Sequence, residues 1–192
     1  MMMRIIAGKW RRRLIKIPDF EITRPTSDRM RETIFNVLNS HLLKNNRSIQ
    51  DMNVADLFAG SGAMGFEALS RGAAYVTFIE QNYQASQIIR QNIQYLQAES
   101  QSKLINADIF ALKTPSICYD LVFLDPPYEQ GLIQPILMRL KAQEWINSQS
   151  LIVIEAKVTD KIIISDDWEI KDYRTSGIKA LWLISLKKIL NL

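Results

Sequence analysis

Apolar positions along this chain fall into short runs whose spacing switches between the period of a strand and the period of a helix. From Asn53 onward they read as strand 54–58, a helix to Ser70, strand 75–80, helix 83–96, a short strand 103–105 and strand 120–124. A helix with Leu132, Ile133, Ile136, Leu137 and Leu140 on one side follows, and then strand 151–155. Strands alternating with helices predict a parallel sheet covered on both faces, with ligands received at the carboxyl ends of the strands. The last two runs, 168–174 and 179–186, are separated only by Thr175-Ser176-Gly177, a connection short enough to predict an antiparallel hairpin.

The beginning of the chain has a different pattern. Two short apolar pieces, 4–7 and 14–17, flank Gly8-Lys9-Trp10-Arg11-Arg12-Arg13 and predict a hairpin with a basic turn. Thr26 or Ser27 can then cap a helix whose apolar face is Met30, Ile34, Val37, Leu38 and Leu42. The expected organisation is a basic arm, 1–26, ahead of a domain, 27–192. The domain is an α/β, doubly wound, mostly parallel seven-stranded sheet that ends in an antiparallel hairpin.

Composition narrows the picture. A chain of 192 residues, 47% of them apolar, can bury a full core and fits one domain. No run of eighteen residues lacks charges, and the first residues have no apolar signal core, so neither a membrane span nor a leader is expected and a cytoplasmic address is. With one cysteine, Cys118, and one histidine, His41, the chain offers neither a disulfide nor a zinc-ligand set, and no metal is expected. The net charge is only +4, yet residues 1–31 hold nine Lys or Arg against three Asp or Glu, a local +6. A basic arm on a slightly acidic body is suited to a polyanion, because neutralised phosphates release counterions. The same charges also describe a solvated basic tail.

Gly60-Ser61-Gly62-Ala63-Met64-Gly65 fits G-x-G-x-x-G between a strand and a helix, with Glu80 at the end of the next strand. Glycines permit a tight turn and close approach to a ligand, and the carboxylate can accept both ribose hydroxyl protons. A dinucleotide site reads the same way so far. Asp56 separates the two, since an acid just before the turn in Asp56-Leu57-Phe58-Ala59-Gly60-Ser61-Gly62 opposes a pyrophosphate but suits the ammonium of a methionine moiety. S-adenosylmethionine is therefore the expected cofactor. In Asn106-Ala107-Asp108-Ile109-Phe110, Asp108 can accept from an adenine amino group and Ile109 can pack on its ring, although a loop aspartate is the plainer reading.

The run Leu121-Val122-Phe123-Leu124 ends in Asp125-Pro126-Pro127-Tyr128, on the ligand edge. Two prolines fix φ and remove two amide donors, leaving the Pro126 carbonyl and the Asp125 carboxylate as acceptors for both hydrogens of one amino group. An exocyclic base amine is a poor nucleophile because its lone pair is delocalised, and holding both N–H groups out of plane restores it. Positioning and electrostatics then carry the transfer more than the basicity of Asp125 does. Tyr128 offers a face for an extruded base.

The arm Arg4-Ile5-Ile6-Ala7-Gly8-Lys9-Trp10-Arg11 and the block Arg24-Pro25-Thr26-Ser27-Asp28-Arg29-Met30-Arg31-Glu32-Thr33-Ile34-Phe35-Asn36 add specificity to these motifs. With Asp56 to Gly62, Glu67-Ala68-Leu69-Ser70-Arg71-Gly72-Ala73 and Asp125 to Tyr128 in the same order, the chain closely resembles the bacterial small-subunit ribosomal RNA guanine-N2 methyltransferase family over essentially all of its length. The resemblance implies methylation of one guanine, guanine 966, in the 16S RNA of the small subunit; a monomer is the expected state. It implies that Asp56, Phe58, Ala59, Gly60, Ser61, Gly62, Glu80, Asp108 and Ile109 bind cofactor, with Arg24 and Thr26 near its methionine end. Asp125, Pro126, Pro127 and Tyr128 would form the catalytic pocket, and Lys9, Trp10, Arg11, Arg12 and Arg13 would grip RNA. Arg12 stands where family members often have glycine, which alters the arm's turn. A DNA adenine-N6 methyltransferase stays open as the alternative, because the tetrapeptide serves adenine equally well. An NAD-dependent oxidoreductase and a catalytically silent RNA-binding assembly factor are the more distant readings.

Overall fold

The computed structural model describes residues 1–18, 28–160 and 162–187. Five parallel strands form the centre of the sheet: β3 (Asn53–Leu57), β4 (Tyr75–Ile79), β5 (Ser102–Ile105), β6 (Leu121–Leu124) and β7 (Leu151–Lys157). The hairpin β8 (Trp168–Ser176) and β9 (Lys179–Leu186) completes seven strands in the order β5-β4-β3-β6-β7-β9-β8. β9 is antiparallel to both neighbours and lies between β7 and β8, an order that periodicity alone does not reveal. The turn is tighter than expected: Thr175 and Ser176 pair with Ala180 and Lys179, which leaves Gly177 and Ile178 as a two-residue connection, with Gly177 at φ 59°.

The strand period of two sends alternate side chains to two separate cores. In β6, Leu121 and Phe123 join a cluster with helices α1 (Asp28–Lys44), α2 (Ala63–Ser70) and α3 (Tyr83–Leu96). Val122 and Leu124 join the other cluster, under α4 (Ile133–Ala142), with Ile136, Leu137, Leu140 and Trp145. All four side chains of β6 are buried, which fits a central strand rather than an edge. At about 1.5–3 kcal/mol for each large apolar side chain, these contacts hold the carboxyl edge of the sheet rigid. The helices predicted from periodicity form as expected; the residues predicted to cap α1, Thr26 and Ser27, lie outside the described residues.

The basic segment forms a two-stranded hairpin, β1 (Met2–Arg4) and β2 (Leu14–Lys16), and its first strand is earlier and shorter than expected. Ile5 N still donates across the hairpin to the Arg13 carbonyl at 2.9 Å, but residues 6 and 7 turn away because a side chain takes their amides: the Glu67 carboxylate of α2 accepts from Ile6 N at 2.8 Å and Ala7 N at 3.0 Å, and also from Arg71 Nε at 2.7 Å. Ser70 completes the clasp, its carbonyl accepting from Lys9 N at 2.7 Å and its hydroxyl from Trp10 N at 2.9 Å. Gly8, at φ 81°, passes so close that a Cβ would overlap the Ser70 carbonyl. Ile5, Trp10 and Ile15 thereby join the same buried cluster as Leu38, Phe66 and Val76, so this segment is packed onto the body rather than a solvated tail. Arg31 ties it from the other side: 1% exposed, it donates to the Arg4 carbonyl at 2.7 Å and pairs with Asp28 at 2.9 Å. No helix among the described residues is long and apolar enough to cross a membrane.

Candidate active site

Strand register brings the separate motifs into one row. Ile105 pairs with Ile79, Ile79 with Leu57, Leu57 with Leu124 and Leu124 with Ile154. The next residue of each strand is therefore Asn106, Glu80, Phe58, Asp125 and Glu155, side by side along the carboxyl edge. Parallel strands in register need no other device to gather residues spread over a hundred positions of sequence.

The glycine loop begins under backbone strain. Phe58 leaves β3 at φ 59° and Gly60 follows at φ 53°; for phenylalanine the left-handed region is an outlier, of the kind found at ligand sites. Gly62, at φ 78°, and Gly65 serve packing: a Cβ on Gly62 would come within 2.7 Å of the Phe66 ring, and one on Gly65 would strike Phe78. Helix α2 can therefore sit close to β4. That gives both glycines a packing reason for lacking a side chain.

Two buried carboxylates brace this loop. Asp56, 4% exposed, accepts from Gly65 N at 2.8 Å, satisfying one of the free amides in the first turn of α2. Glu80, 8% exposed, accepts from Gly60 N at 2.8 Å through one oxygen and from Asn82 N at 2.7 Å through the other. One side chain thus links the glycine loop to the start of α3, whose cap is the Asn82 side chain accepting from Ala85 N. Asn106 closes the row by donating to the Glu80 and Gln81 carbonyls at 2.7 and 3.1 Å. Asp108 is exposed and caps a short turn by accepting from Phe110 N at 2.9 Å. Ile109 points into the core at 3% exposure, so the apolar side chain left at the surface of that turn is Phe110.

Asp125 leaves β6 half-buried, Pro126 is buried and Pro127 exposed. Tyr128 donates its hydroxyl hydrogen to Glu155 Oε1 at 3.0 Å, and Lys179 of β9 pairs with that same oxygen. Lys157 Nζ sits 5.8 Å from the centre of the Tyr128 ring and pairs with Glu129 at 2.5 Å. Beside these residues opens a cavity of about 350 Å³ with Pro126, Pro127, Tyr128 and Glu155 in its wall. Glu155 is the residue that sequence reading missed. A carboxylate ending the run Leu151-Ile152-Val153-Ile154 was the available signal.

The arm residues divide. Trp10, which the resemblance places among the residues that would grip RNA, packs inward: it is 6% exposed, with Lys9 Nζ 4.4 Å above its ring. Lys9 also donates to Gln101 at 2.6 Å. Arg11, Arg12 and Arg13 are exposed. Arg24 and Thr26 lie outside the described residues. Among the described residues no group of three or more His, Cys, Asp or Glu side chains could hold a metal ion.

Comparisons with known proteins bear on this site. A family model described as conserved hypothetical protein 95 matches residues 3–185. Ribosomal RNA small subunit methyltransferase D of Haemophilus influenzae is 37% identical over 179 residues, covering 91% of this chain and 89% of that protein. The protein of the same name from Escherichia coli strain K12 is 35% identical over 176 residues, with 91% and 85% covered. The solved Escherichia coli protein yhhF, provisionally described as a methyltransferase, superposes with a TM-score of 0.85 at 32% identity, over 98% of this chain and all of that one.

Proposed function

Because the chain belongs to the family of ribosomal RNA small subunit methyltransferase D proteins, we propose that it methylates the exocyclic N2 amine of a guanine in 16S ribosomal RNA, with S-adenosylmethionine as the donor. The observation that carries this reading is the register row, which sets Asp125 of the tetrapeptide directly beside Phe58 and the glycine loop.

The residues present suit that cofactor. When bound, S-adenosylmethionine supplies an electrophilic methyl group on a sulfonium. Glu80 would hold the ribose hydroxyls, and its two amide bonds keep its carboxylate fixed for that task. Asp56 supplies a buried negative charge matched to the methionine ammonium, and its bond to Gly65 restrains it. The backbone of Phe58, Ala59, Gly60, Ser61 and Gly62 would line the ligand, with Asp108 and the turn around Ile109 at its adenine end.

Asp125 and the Pro126 carbonyl would accept the two amine hydrogens and leave the nitrogen lone pair aimed at the methyl group. The proton released after transfer passes to Asp125 or to water. Tyr128 would stack on the extruded base, its ring held by the hydroxyl bond to Glu155. Binding and orientation supply most of the rate, since an exocyclic amine needs its lone pair freed more than it needs a strong base.

Radiolabelled methyl transfer to small ribosomal subunits from a strain lacking the corresponding modification tests the reading. Label in 16S RNA that maps to one N2-methylguanine is expected. Label in duplex DNA as N6-methyladenine, with none in the subunits, would replace this function with the DNA alternative.

A further inference from the structure

We propose that the groove between the hairpin and α3 is a nucleotide-binding subsite, in which Tyr95 stacks on an unpaired base of the RNA while Arg11, Arg12 and Arg13 hold its phosphates. The inference rests on the proposed RNA substrate and adds a place on the body of the protein where that RNA is read.

The groove has a volume of about 690 Å³, within the ~300–1,000 Å³ range of ligand pockets. One wall is the basic turn, with Arg11, Arg12, Arg13 and Lys16; the other is α3, with Gln91 and Tyr95. None of its lining residues is acidic, and the whole of α3, YQASQIIRQNIQYL, contains neither Asp nor Glu. Tyr95 is 57% exposed, leaving its ring open to a partner. A phenol ring beside three guanidinium groups fits a single strand, because stacking requires a base that is not already stacked in a duplex.

Arg12 is the second observation. It occupies φ 70°, a left-handed conformation costing an ordinary residue roughly 1–2 kcal/mol that glycine avoids. A cation kept at such a position is explained by a ligand that uses its charge. The hairpin cannot swing away from the groove, since Lys16 N donates to Asn92 Oδ1 and Asn92 Nδ2 donates back to the Lys16 carbonyl, each at 2.9 Å. The same Nδ2 lies 3.3 Å from the Ser61 carbonyl, so Asn92 links the groove directly to the glycine loop. Lys16 Nζ, bound to Gln91 Oε1 at 2.8 Å, fixes the polar part of the floor.

The test is direct binding of a short single-stranded oligoribonucleotide, by filter retention across a salt series, to the full chain and to Tyr95→Ala, Tyr95→Phe and Arg12→Gly. Tyr95→Ala should weaken binding roughly 5–100-fold with an unchanged salt slope, because a lost stack releases no counterions, and Tyr95→Phe should bind like the parent. Arg12→Gly should lower the salt slope by about 0.7 while raising the melting temperature. Binding by Tyr95→Ala within twofold of the parent, at an unchanged melting temperature, would overturn the proposal. So would an equal loss in Tyr95→Phe. These outcomes are read without catalysis. Failure of the parent to methylate small subunits would count against the proposed reaction and leave the binding result to stand on its own.

Discussion

The Tyr128 hydroxyl and the Glu155 carboxylate meet at 3.0 Å in the wall of the cavity beside the tetrapeptide, and Lys179 reaches the same carboxylate oxygen from β9. A ring that would stack on the base is thus oriented by a side chain with 4% exposure on a neighbouring strand. Tyr128→Phe keeps the aromatic face and loses the restraint. Its turnover should fall about 10–150-fold, the worth of one hydrogen bond to a charged group, with affinity for S-adenosylhomocysteine unchanged. Single-turnover kinetics on small subunits, with calorimetry in parallel, measure both. Equal rates for Tyr128→Phe and the parent would mean the hydroxyl bond does not position the ring.

Asp125→Ala removes one of the two proposed acceptors for the reacting amine. Transfer should drop at least ~100-fold while cofactor affinity stays within a fewfold, because the lost bonds matter most in the transition state. A variant that keeps the parental single-turnover rate would remove Asp125 from the chemistry.

Glu80 braces the glycine loop and is proposed to hold the cofactor ribose, so its substitutions should separate the two. Glu80→Ala strips the Gly60 and Asn82 amides of their acceptor as well as the ribose of its proposed partner, and should abolish measurable S-adenosylhomocysteine binding and lower stability by about 1–3 kcal/mol. Glu80→Gln keeps an acceptor oxygen and should recover most of the stability but little of the binding. Chemical denaturation and calorimetry on the same samples provide the comparison, with NAD as the control ligand. Tight NAD binding by the parent would contradict the cofactor assignment.

His41, half-buried on α1, has a pKa below the ordinary histidine value. Burial is the largest cause, Lys171, Arg47 and Lys44 add repulsion, and Glu169 opposes them. The unfolded chain therefore binds a proton more readily than the folded one. Stability should rise with pH between the lowered folded value and about 6.5, and fall as pH drops through that window. Urea midpoints should lose this slope in His41→Gln, and a slope unchanged by the substitution would assign it to another group.

The strands and helices were legible because the sheet is buried on both faces: runs such as Leu121-Val122-Phe123-Leu124 have nowhere to go but a central strand. Motif order along the chain also conveyed which residues belong to the edge, since parallel strands with equal register carry their last residues to one row. What remained hidden depends on side chains that bond across the fold. Glu67 and Ser70 read as ordinary helix positions, yet they hold the hairpin through its backbone amides, which no hydropathy pattern records. The charged neighbours of Trp10 in sequence give no sign that the clasp turns its ring inward. Glu155 stands in the sequence as the last residue of a strand run, and its partner is a tyrosine twenty-seven residues earlier.

The position of β9 has a bearing on synthesis. A ribosome delivers β7 and β8 before the strand that belongs between them, so the nascent sheet waits with the apolar β7 edge, Leu151-Ile152-Val153-Ile154, unpaired. An open hydrophobic edge recruits other chains as readily as its own strand. Lys179, which pairs with Glu155 behind Tyr128, arrives on that same last strand. Translation therefore completes the sheet and the support of the Tyr128 hydroxyl in a single late event.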